Sequence, residues 1–203
     1  FPYEVLSELD ETVRDELLCE LPKEKLATAV ADLESDDAAY ILESLEEPDK
    51  QAILDLMPAG DRAALERNLE YPEETAGRLM QTDFVAVPPF WNVGQVIDYM
   101  RETEDLPETF SDIYVVDPSH HVVGGVDLSR LLRTNREVPI EKIMDAERQV
   151  VLATADQEAV ARQFERYDLK SAPVVDADRR LVGVVTVDDV VEVIQEEAEE
   201  DLR

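Results

Sequence analysis

Carboxylates are the residues of this chain whose number and spacing could do chemistry. The chain has 49 Asp and Glu residues against 19 Lys and Arg, which gives a formal net charge of −30. Five acids fall within residues 196–201, and Asp188 and Asp189 stand side by side before an apolar helical pattern. Hard cations such as Mg²⁺ bind oxygen ligands and need only one or two carboxylates per site. Cation binding is therefore the chemistry that these residues favour.

The residues needed for other kinds of chemistry are missing from the sequence. It has no nucleophile elbow, no glycine-rich phosphate loop and no zinc-spaced cluster, so no enzyme is predicted. His120 and His121 lie together in a predicted hairpin turn, and the single cysteine, Cys19, excludes an internal disulfide. The acidic surface disfavours nucleic acid as a partner. It is also typical of proteins that work in high salt, so the charge leaves both interpretations open.

A strand–turn–strand–helix pattern must position the acids near the end of the chain. Two short β-branched runs, 172–175 and 181–185, flank a polar turn, which predicts two strands joined by that turn. Apolar residues then recur with i, i+3, i+4, i+7 spacing from Val187, which predicts an amphipathic helix. Thr186 can cap this helix, and the two acids in its first turn suit the positive end of the helix dipole.

The same pattern occurs once earlier, so the chain contains a tandem repeat. Met80 matches Met144, 64 residues later, whereas Val116 matches Val175, 59 residues later. The first copy therefore contains five extra residues, which we place within 103–110. A repeat of this length predicts two copies of one unit packed together, because each copy buries a face that it cannot bury alone.

Residues 1–70 contain no strand signal and predict a series of short helices. Apolar residues recur every 12 residues in this part, at Leu9, Leu21, Leu33, Leu45 and Met57. Proline or acidic residues between these positions mark the starts of helices of roughly eight or nine residues. Helices this short are unstable alone, so they must pack on one another as a superhelix.

These motifs together resemble two known families. Tandem units with a leading hydrophobic residue and Met, an h-P-V-V-D strand and a G-h-h-T-x-x-D segment before a helix resemble a pair of CBS domains. The order ETAGRLM, IYVVD, YDL, PVVD and LVGVVTVDDVVEV, behind an acidic helical leader, resembles the cytosolic region of MgtE-type magnesium transporters. The resemblance covers nearly all 203 residues.

The predicted fold class is α+β, with an all-α, short-helix superhelical N-terminal domain followed by a tandem CBS-domain pair of β-α-β units. The predicted boundaries are a helical domain of the MgtE N type at 1–70, a linker at 71–78, a first CBS domain at 79–142 and a second CBS domain with an acidic C-terminal helix at 143–203.

The resemblance implies the Mg²⁺-sensing regulatory region of a magnesium ion transporter or channel, which gates the pore by magnesium-dependent closure of acidic domain interfaces. The implied partners are Mg²⁺, a second copy bound through the CBS domains and the protein's own transmembrane domain. That domain is expected outside these residues, since no apolar run approaches the ~20 residues of a membrane span. The expected location is the cytoplasmic face of the cell membrane. The alternatives are an adenine-nucleotide-sensing CBS module of another partner protein and a protein-docking scaffold.

The resemblance also assigns metal binding to acids of both predicted domains. Glu4 and Asp36 are the candidates in the helical domain, and Asp36 is expected to face Asp189, with the backbone near Arg78 completing the cluster. The candidates in the second CBS domain are Asp156, Glu158, Asp168, Asp188, Asp189, Glu192 and Glu200. Each of these acids could instead be a solvated surface carboxylate. Asp36 and Asp189 form the preferred pair.

Nucleotide binding is the competing role that the CBS resemblance implies. The Thr and Asp of the G-h-h-T-x-x-D motif hold a ribose in such pairs, and Gly183, Thr186 and Asp189 match the motif in the second copy. The first copy has Asp127 and Arg130 at the Thr and Asp positions, so its motif is broken. ATP or AMP is therefore an alternative ligand at one site per chain, with a plain helix cap as the other interpretation of Thr186.

Overall fold

The computed structural model describes Val5, Leu9 and residues 11–200, and the chain divides into two compact units at 1–72 and 73–203. The described part of the first unit is helical, and the second unit carries two small sheets with helices. The predicted α+β class is therefore confirmed.

Five short helices make up the described part of the first unit: α1 Glu11–Glu20, α2 Lys23–Ala31, α3 Ser35–Glu43, α4 Glu47–Leu56 and α5 Ala59–Leu69. Each helix begins 12 residues after the previous one, which is the period of the apolar residues in the sequence. Leu21, Leu33, Leu45 and Met57 all join one apolar core, where α2 packs on α4 and α3 packs on α5. The periodic apolar residues are therefore the ones that hold the stack together.

The second unit contains two three-stranded sheets with the same topology. The first sheet has β1 Ala86–Val87, β2 Asp112–Val116 and β3 Val122–Asp127, and the second has β4 Val151–Leu152, β5 Ser171–Val175 and β6 Leu181–Thr186. In each sheet the first strand is parallel to the second, and the second is antiparallel to the third. We call the part built on β1–β3 the first half and the part built on β4–β6 the second half.

Helices complete both halves at equivalent positions. The crossover helices are α7 Val93–Glu102 and α9 Gln157–Tyr167, which give the predicted β-α-β units. The remaining elements are α6 Ala76–Leu79, α8 Leu128–Leu132, a 3₁₀ turn at Ile140–Lys142 and α10 Val187–Glu200. The loop after α7 runs from 103 to 111, whereas the loop after α9 runs only from 168 to 170. The extra residues of the first copy therefore lie in this loop, as the offsets predict.

The segment that leads into each half packs on the sheet of the other half. Gln81 exchanges two backbone hydrogen bonds with Val184 of β6, with N···O distances of 2.8 and 2.9 Å. Asp145 does the same with Gly125 of β3, at 2.8 and 3.1 Å. The two halves are therefore interlocked, because each sheet is extended by chain from the other copy.

Candidate functional site

The start of α10 holds the residues predicted to bind either a ribose or a metal. Asp189 lies in the first turn of this helix and is only 5% exposed. Its Oδ2 accepts hydrogen bonds from the backbone N–H of Thr186 at 2.8 Å and from the Thr186 hydroxyl at 2.9 Å. The amide of Gln81 donates to Oδ1 at 3.4 Å. Asp189 therefore reaches back to the residue before the helix, which is one half of a capping box.

Gly183 has a packing reason to be glycine. A Cβ at this position would lie 2.5 Å from the sulfur of Met80 and 2.8 Å from the carbonyl oxygen of Gln81. The absent side chain lets the leading segment of the first copy approach β6. The face of Gly183 is therefore covered by protein, and the predicted nucleotide role of Gly183, Thr186 and Asp189 stays a prediction.

The acids around α9 serve local structure. Asp156 caps the helix, and its Oδ1 accepts from the backbone N–H groups of Glu158 at 2.9 Å and Ala159 at 3.3 Å. The Glu158 carboxylate lies 3.2 Å from the Arg162 guanidinium. Asp168 ends the helix with a left-handed φ of 50°. These roles leave each carboxylate exposed to solvent, so they do not exclude the predicted metal binding.

Two of the predicted metal ligands share a face of α10. Asp188 and Glu192 are exposed and stand one turn apart on this helix, whereas Asp36 is half-buried in the first turn of α3. Glu4 lies outside the described residues, and only the backbone of Glu200 is described. Among the described residues, no three His, Cys, Asp or Glu side chains come together as a metal cluster. The metal assignments therefore stay predictions. They are predictions of sites in which one or two carboxylates bind each ion.

The structure also contains a polar cluster that the sequence did not reveal, where the first half meets the second. We call it the inter-half cluster, and its members are Asp112, Tyr114, Asp127, Arg148 and Ser171. Ser171 donates to Asp112 Oδ2 at 2.5 Å, and Tyr114 hydrogen-bonds to the Ser171 hydroxyl. Arg148 forms an ion pair with Asp112, and its Nη1 lies 3.6 Å from Asp127 Oδ1. Asp112, Tyr114 and Ser171 are all buried.

Charge in this cluster is divided unequally between its two carboxylates, which face each other across β2 and β3. Burial alone would raise the pKa of Asp112, but the Ser171 hydroxyl and the Arg148 guanidinium together hold that pKa below its usual value. The neighbouring Asp112 carboxylate and partial burial raise the pKa of Asp127. Burial raises the pKa of Tyr114, which therefore stays protonated. Asp112 is the buried anion, and Arg148 is its counter-ion.

A weak signal for this cluster exists in the sequence. Asp112 is a charged residue next to the apolar run of β2, and the corresponding position in the second copy is Ser171. No spacing rule predicts its partner, because Arg148 lies 36 residues away along the chain and comes from the segment that leads into the other copy.

Comparison with known proteins supports the same domain order. The MgtE intracellular N domain model matches residues 3–74, and the CBS domain model matches residues 76–137 and 140–196. A magnesium transporter MgtE of Bacillus subtilis is 34% identical over 98% of this chain, and one of Thermus thermophilus is 37% identical over 88% of it. The chain spans 44% and 38% of these two relatives, which is less than half of each. Relatives named as transporters agree with the prediction that the chain is not an enzyme.

Solved structures match nearly the whole length of the chain. The chain is 37% identical to a structure described as the cytosolic domain of the Mg²⁺ channel MgtE in complex with ATP, with a TM-score of 0.88 over 94% of this chain and 78% of that one. It is 31% identical to the soluble part of a magnesium transporter, with a TM-score of 0.89 over 97% and 79% of the two chains. No helix in the described part of the chain is long and apolar enough to span a bilayer. The chain belongs to the MgtE family of magnesium transporters, with an MgtE N domain followed by two CBS domains.

Proposed function

We propose that this chain is the Mg²⁺-sensing regulatory region of an MgtE-type transporter or channel, on the cytoplasmic face of the membrane. We call the first unit, residues 1–72, the helical unit and the second, residues 73–203, the CBS unit. Mg²⁺ binds between acidic surfaces of these two units, draws them together and closes the pore in the transmembrane part. The observation that carries the proposal is a net charge of −30 in a chain of a magnesium-transporter family.

Repulsion between carboxylates determines which state is favoured at low and at high Mg²⁺. Two carboxylates 4 Å apart repel each other by roughly 4 kcal/mol at an effective dielectric constant of 20. A hydrated Mg²⁺ between them replaces the repulsion with attraction to both, and the ion keeps most of its water. At low Mg²⁺ the acidic surfaces therefore separate, and at high Mg²⁺ they close.

The exposed candidate ligands suit a hydrated ion of this kind. Asp188 and Glu192 are exposed one turn apart on α10, and like charges at this spacing destabilise a helix by about 0.2–0.5 kcal/mol. Asp36 and Asp37 stand together in the first turn of α3. The Asp189 carboxylate is held in place by Thr186. In our proposal, Asp36 and Asp189 bind one Mg²⁺ ion together. The exposed acids of α9 and α10 bind further Mg²⁺ ions together with other parts of the transporter.

Small-angle scattering of the full 203-residue chain across a MgCl₂ titration tests the switch. NaCl holds the ionic strength constant, because any salt screens so charged a chain. We expect a saturable fall in the radius of gyration that Asp36→Asn with Asp189→Asn abolishes. The asparagines keep the size of both side chains and one acceptor oxygen in each, and they remove the two charges.

A matched pair of substitutions controls for the loss of two charges. Asp61 and Asp178 are exposed acids, one in each unit, and neither is a candidate ligand. The variant Asp61→Asn with Asp178→Asn should respond to Mg²⁺ as the unmodified chain does. A fall of equal size in NaCl alone, or loss of the response in the control variant, would refute the sensor proposal.

We also propose that the CBS unit forms a homodimer. Val187, Val191 and Ile194 form an i, i+4, i+7 stripe on α10, and each is 39–50% exposed in the single chain. Such a stripe is ordinarily covered by another surface. Sedimentation equilibrium should give a dimer mass that Val191→Glu reduces to that of a monomer. A monomer mass for the unmodified chain would contradict this part of the proposal.

Adenine-nucleotide sensing is the second candidate function. Its support is the motif of Gly183, Thr186 and Asp189, together with the 37% identical MgtE structure that contains ATP. Isothermal titration calorimetry with ATP distinguishes the candidates. Binding that is lost in Thr186→Val, with scattering unchanged by Mg²⁺ alone, would favour the nucleotide function over magnesium sensing.

A further inference from the structure

The first half contains a cleft at the position of its broken motif. Gly125, Asp127, Arg130, Met144, Asp145 and Arg148 are among the residues that line it, and its volume is about 320 Å³. This is at the lower end of the ~300–1,000 Å³ found for small-molecule pockets. Asp127 and Arg130 occupy the places that Thr186 and Asp189 hold in the second half. The two halves therefore carry different charged residues at this position.

The side chain of Arg148 lines this cleft. A Cβ on Gly125 would be 2.6 Å from Arg148 Cδ and 3.1 Å from its Nε, so the arginine rests directly on the backbone of β3. The guanidinium forms an ion pair with Asp112 and lies 5.9 Å from the centre of the Tyr114 ring. The Arg148 side chain is only 14% exposed. The arginine therefore forms the wall of the cleft beside Gly125.

The second half has a different residue at the equivalent place. With the offset that matches Met80 to Met144, Arg148 corresponds to Phe84. Phe84 packs into an apolar cluster with Val184 and Leu181. The second half therefore has neither the arginine nor the buried aspartate, since Ser171 stands at the position of Asp112.

We propose that Arg148 is an internal ligand of the first-half cleft and excludes nucleosides from it. Its guanidinium donates to the carboxylate of Asp112 and lies close to that of Asp127, so it occupies acceptor groups that a bound nucleoside would otherwise meet. The carboxylate of Asp127 adds repulsion against any phosphate group. Nucleoside binding by this chain, where it occurs, is therefore confined to the second half.

Adenosine is the probe that tests this inference, because it carries no charge and needs no Mg²⁺. The result is thus independent of magnesium sensing. A repaired chain, Asp127→Thr with Arg130→Asp, restores the motif and keeps Arg148. An opened chain adds Asp112→Asn and Arg148→Met, which removes the internal ligand and its counter-ion together. Equilibrium dialysis gives the number and affinity of adenosine sites in each 203-residue chain.

We expect the opened chain to bind one more adenosine than the repaired chain, with an affinity at least about tenfold higher at that site. An equal gain in the repaired chain would show that Arg148 excludes nothing, and no gain in the opened chain would show that the cleft does not fit a nucleoside. Either result overturns the inference. The NMR signal of the Arg148 Nε–H provides a second measurement in a chain that carries Thr186→Val, which removes second-half binding. A saturable shift of that signal with adenosine in this variant would also overturn the inference.

Discussion

Replacement of Arg148 by methionine should destabilise the CBS unit strongly at neutral pH. The change leaves Asp112, which is 4% exposed, without its counter-ion. Removal of one partner of a buried ion pair costs about 3–5 kcal/mol. Ser111 at 2.9 Å and Ser171 at 2.5 Å still donate to the carboxylate, so we expect about 3 kcal/mol. Asp112→Asn in addition should recover most of this loss, because no buried charge remains.

The loss should also depend on pH with a defined sign. In the unmodified chain the folded-state pKa of Asp112 is lowered, so its stabilising contribution is present above the unfolded pKa of about 4 and is lost as pH falls through the folded value. In Arg148→Met the remaining burial acts to raise that pKa. The deficit should then be full at pH 7 and should shrink as pH falls toward the unfolded pKa.

Urea unfolding followed by tryptophan fluorescence measures the loss of stability in the CBS unit. Trp91 is the only tryptophan, and it packs edge-on against Tyr99 in the first half, with 5.5 Å between ring centres. Arg136→Met is the matched control, because Arg136 pairs with Asp98 at 2.7 Å but both side chains are about half exposed. Exposed pairs contribute about 0–1 kcal/mol. Equal losses in the two arginine variants would refute the argument that burial makes the Asp112–Arg148 pair important.

Three further substitutions test local packing and capping. Gly183→Ala should destabilise the CBS unit by about 1–3 kcal/mol in urea unfolding, since the new Cβ meets Met80 at 2.5 Å; Gly60→Ala, with nothing within 4 Å, should not destabilise the chain. Asp156→Ala should lower the free energy of unfolding by about 1 kcal/mol through loss of the α9 cap, whereas Asp156→Asn should retain the cap. Thermal unfolding followed by circular dichroism compares the two, and equal losses would contradict the capping role. Tyr114→Phe should cost about 1 kcal/mol in urea unfolding, because the Ser171 hydroxyl loses a donor; no change would show that this hydrogen bond is dispensable.

The features that the sequence predicts well are those encoded over short distances along the chain. The 12-residue spacing of Leu21, Leu33 and Leu45 predicts the helical stack, because helix and loop lengths repeat with the packed residue. The strands β5 and β6 follow from β-branched runs around a polar turn. These are local rules of periodicity and turn chemistry.

The crossing of the two leading segments has no such local signal. The match of Met80 with Met144 predicts that the two methionines occupy equivalent positions in the two copies. It does not indicate that Met80 packs on the sheet of the second half and Met144 on the sheet of the first. Gly183 is the example: as part of a motif it suggests a ligand, whereas the structure shows a close approach of Met80 and Gln81. Contacts made between copies of a repeat depend on how the copies dock, and the spacing within one copy does not specify this.

The same crossing makes the two halves chemically different. Each half receives the leading segment of the other copy, so a substitution in one copy changes the cleft of the opposite half. Arg148 precedes β4 but lies against Gly125 of β3 and pairs with Asp112 of β2, whereas its counterpart Phe84 joins an apolar cluster with residues of β6. One repeated fold can therefore hold a buried ion pair in its first half, while the buried Asp189 of its second half accepts hydrogen bonds from Thr186 and from Gln81. In our proposal, this asymmetry confines nucleosides to the second half, where α10 begins.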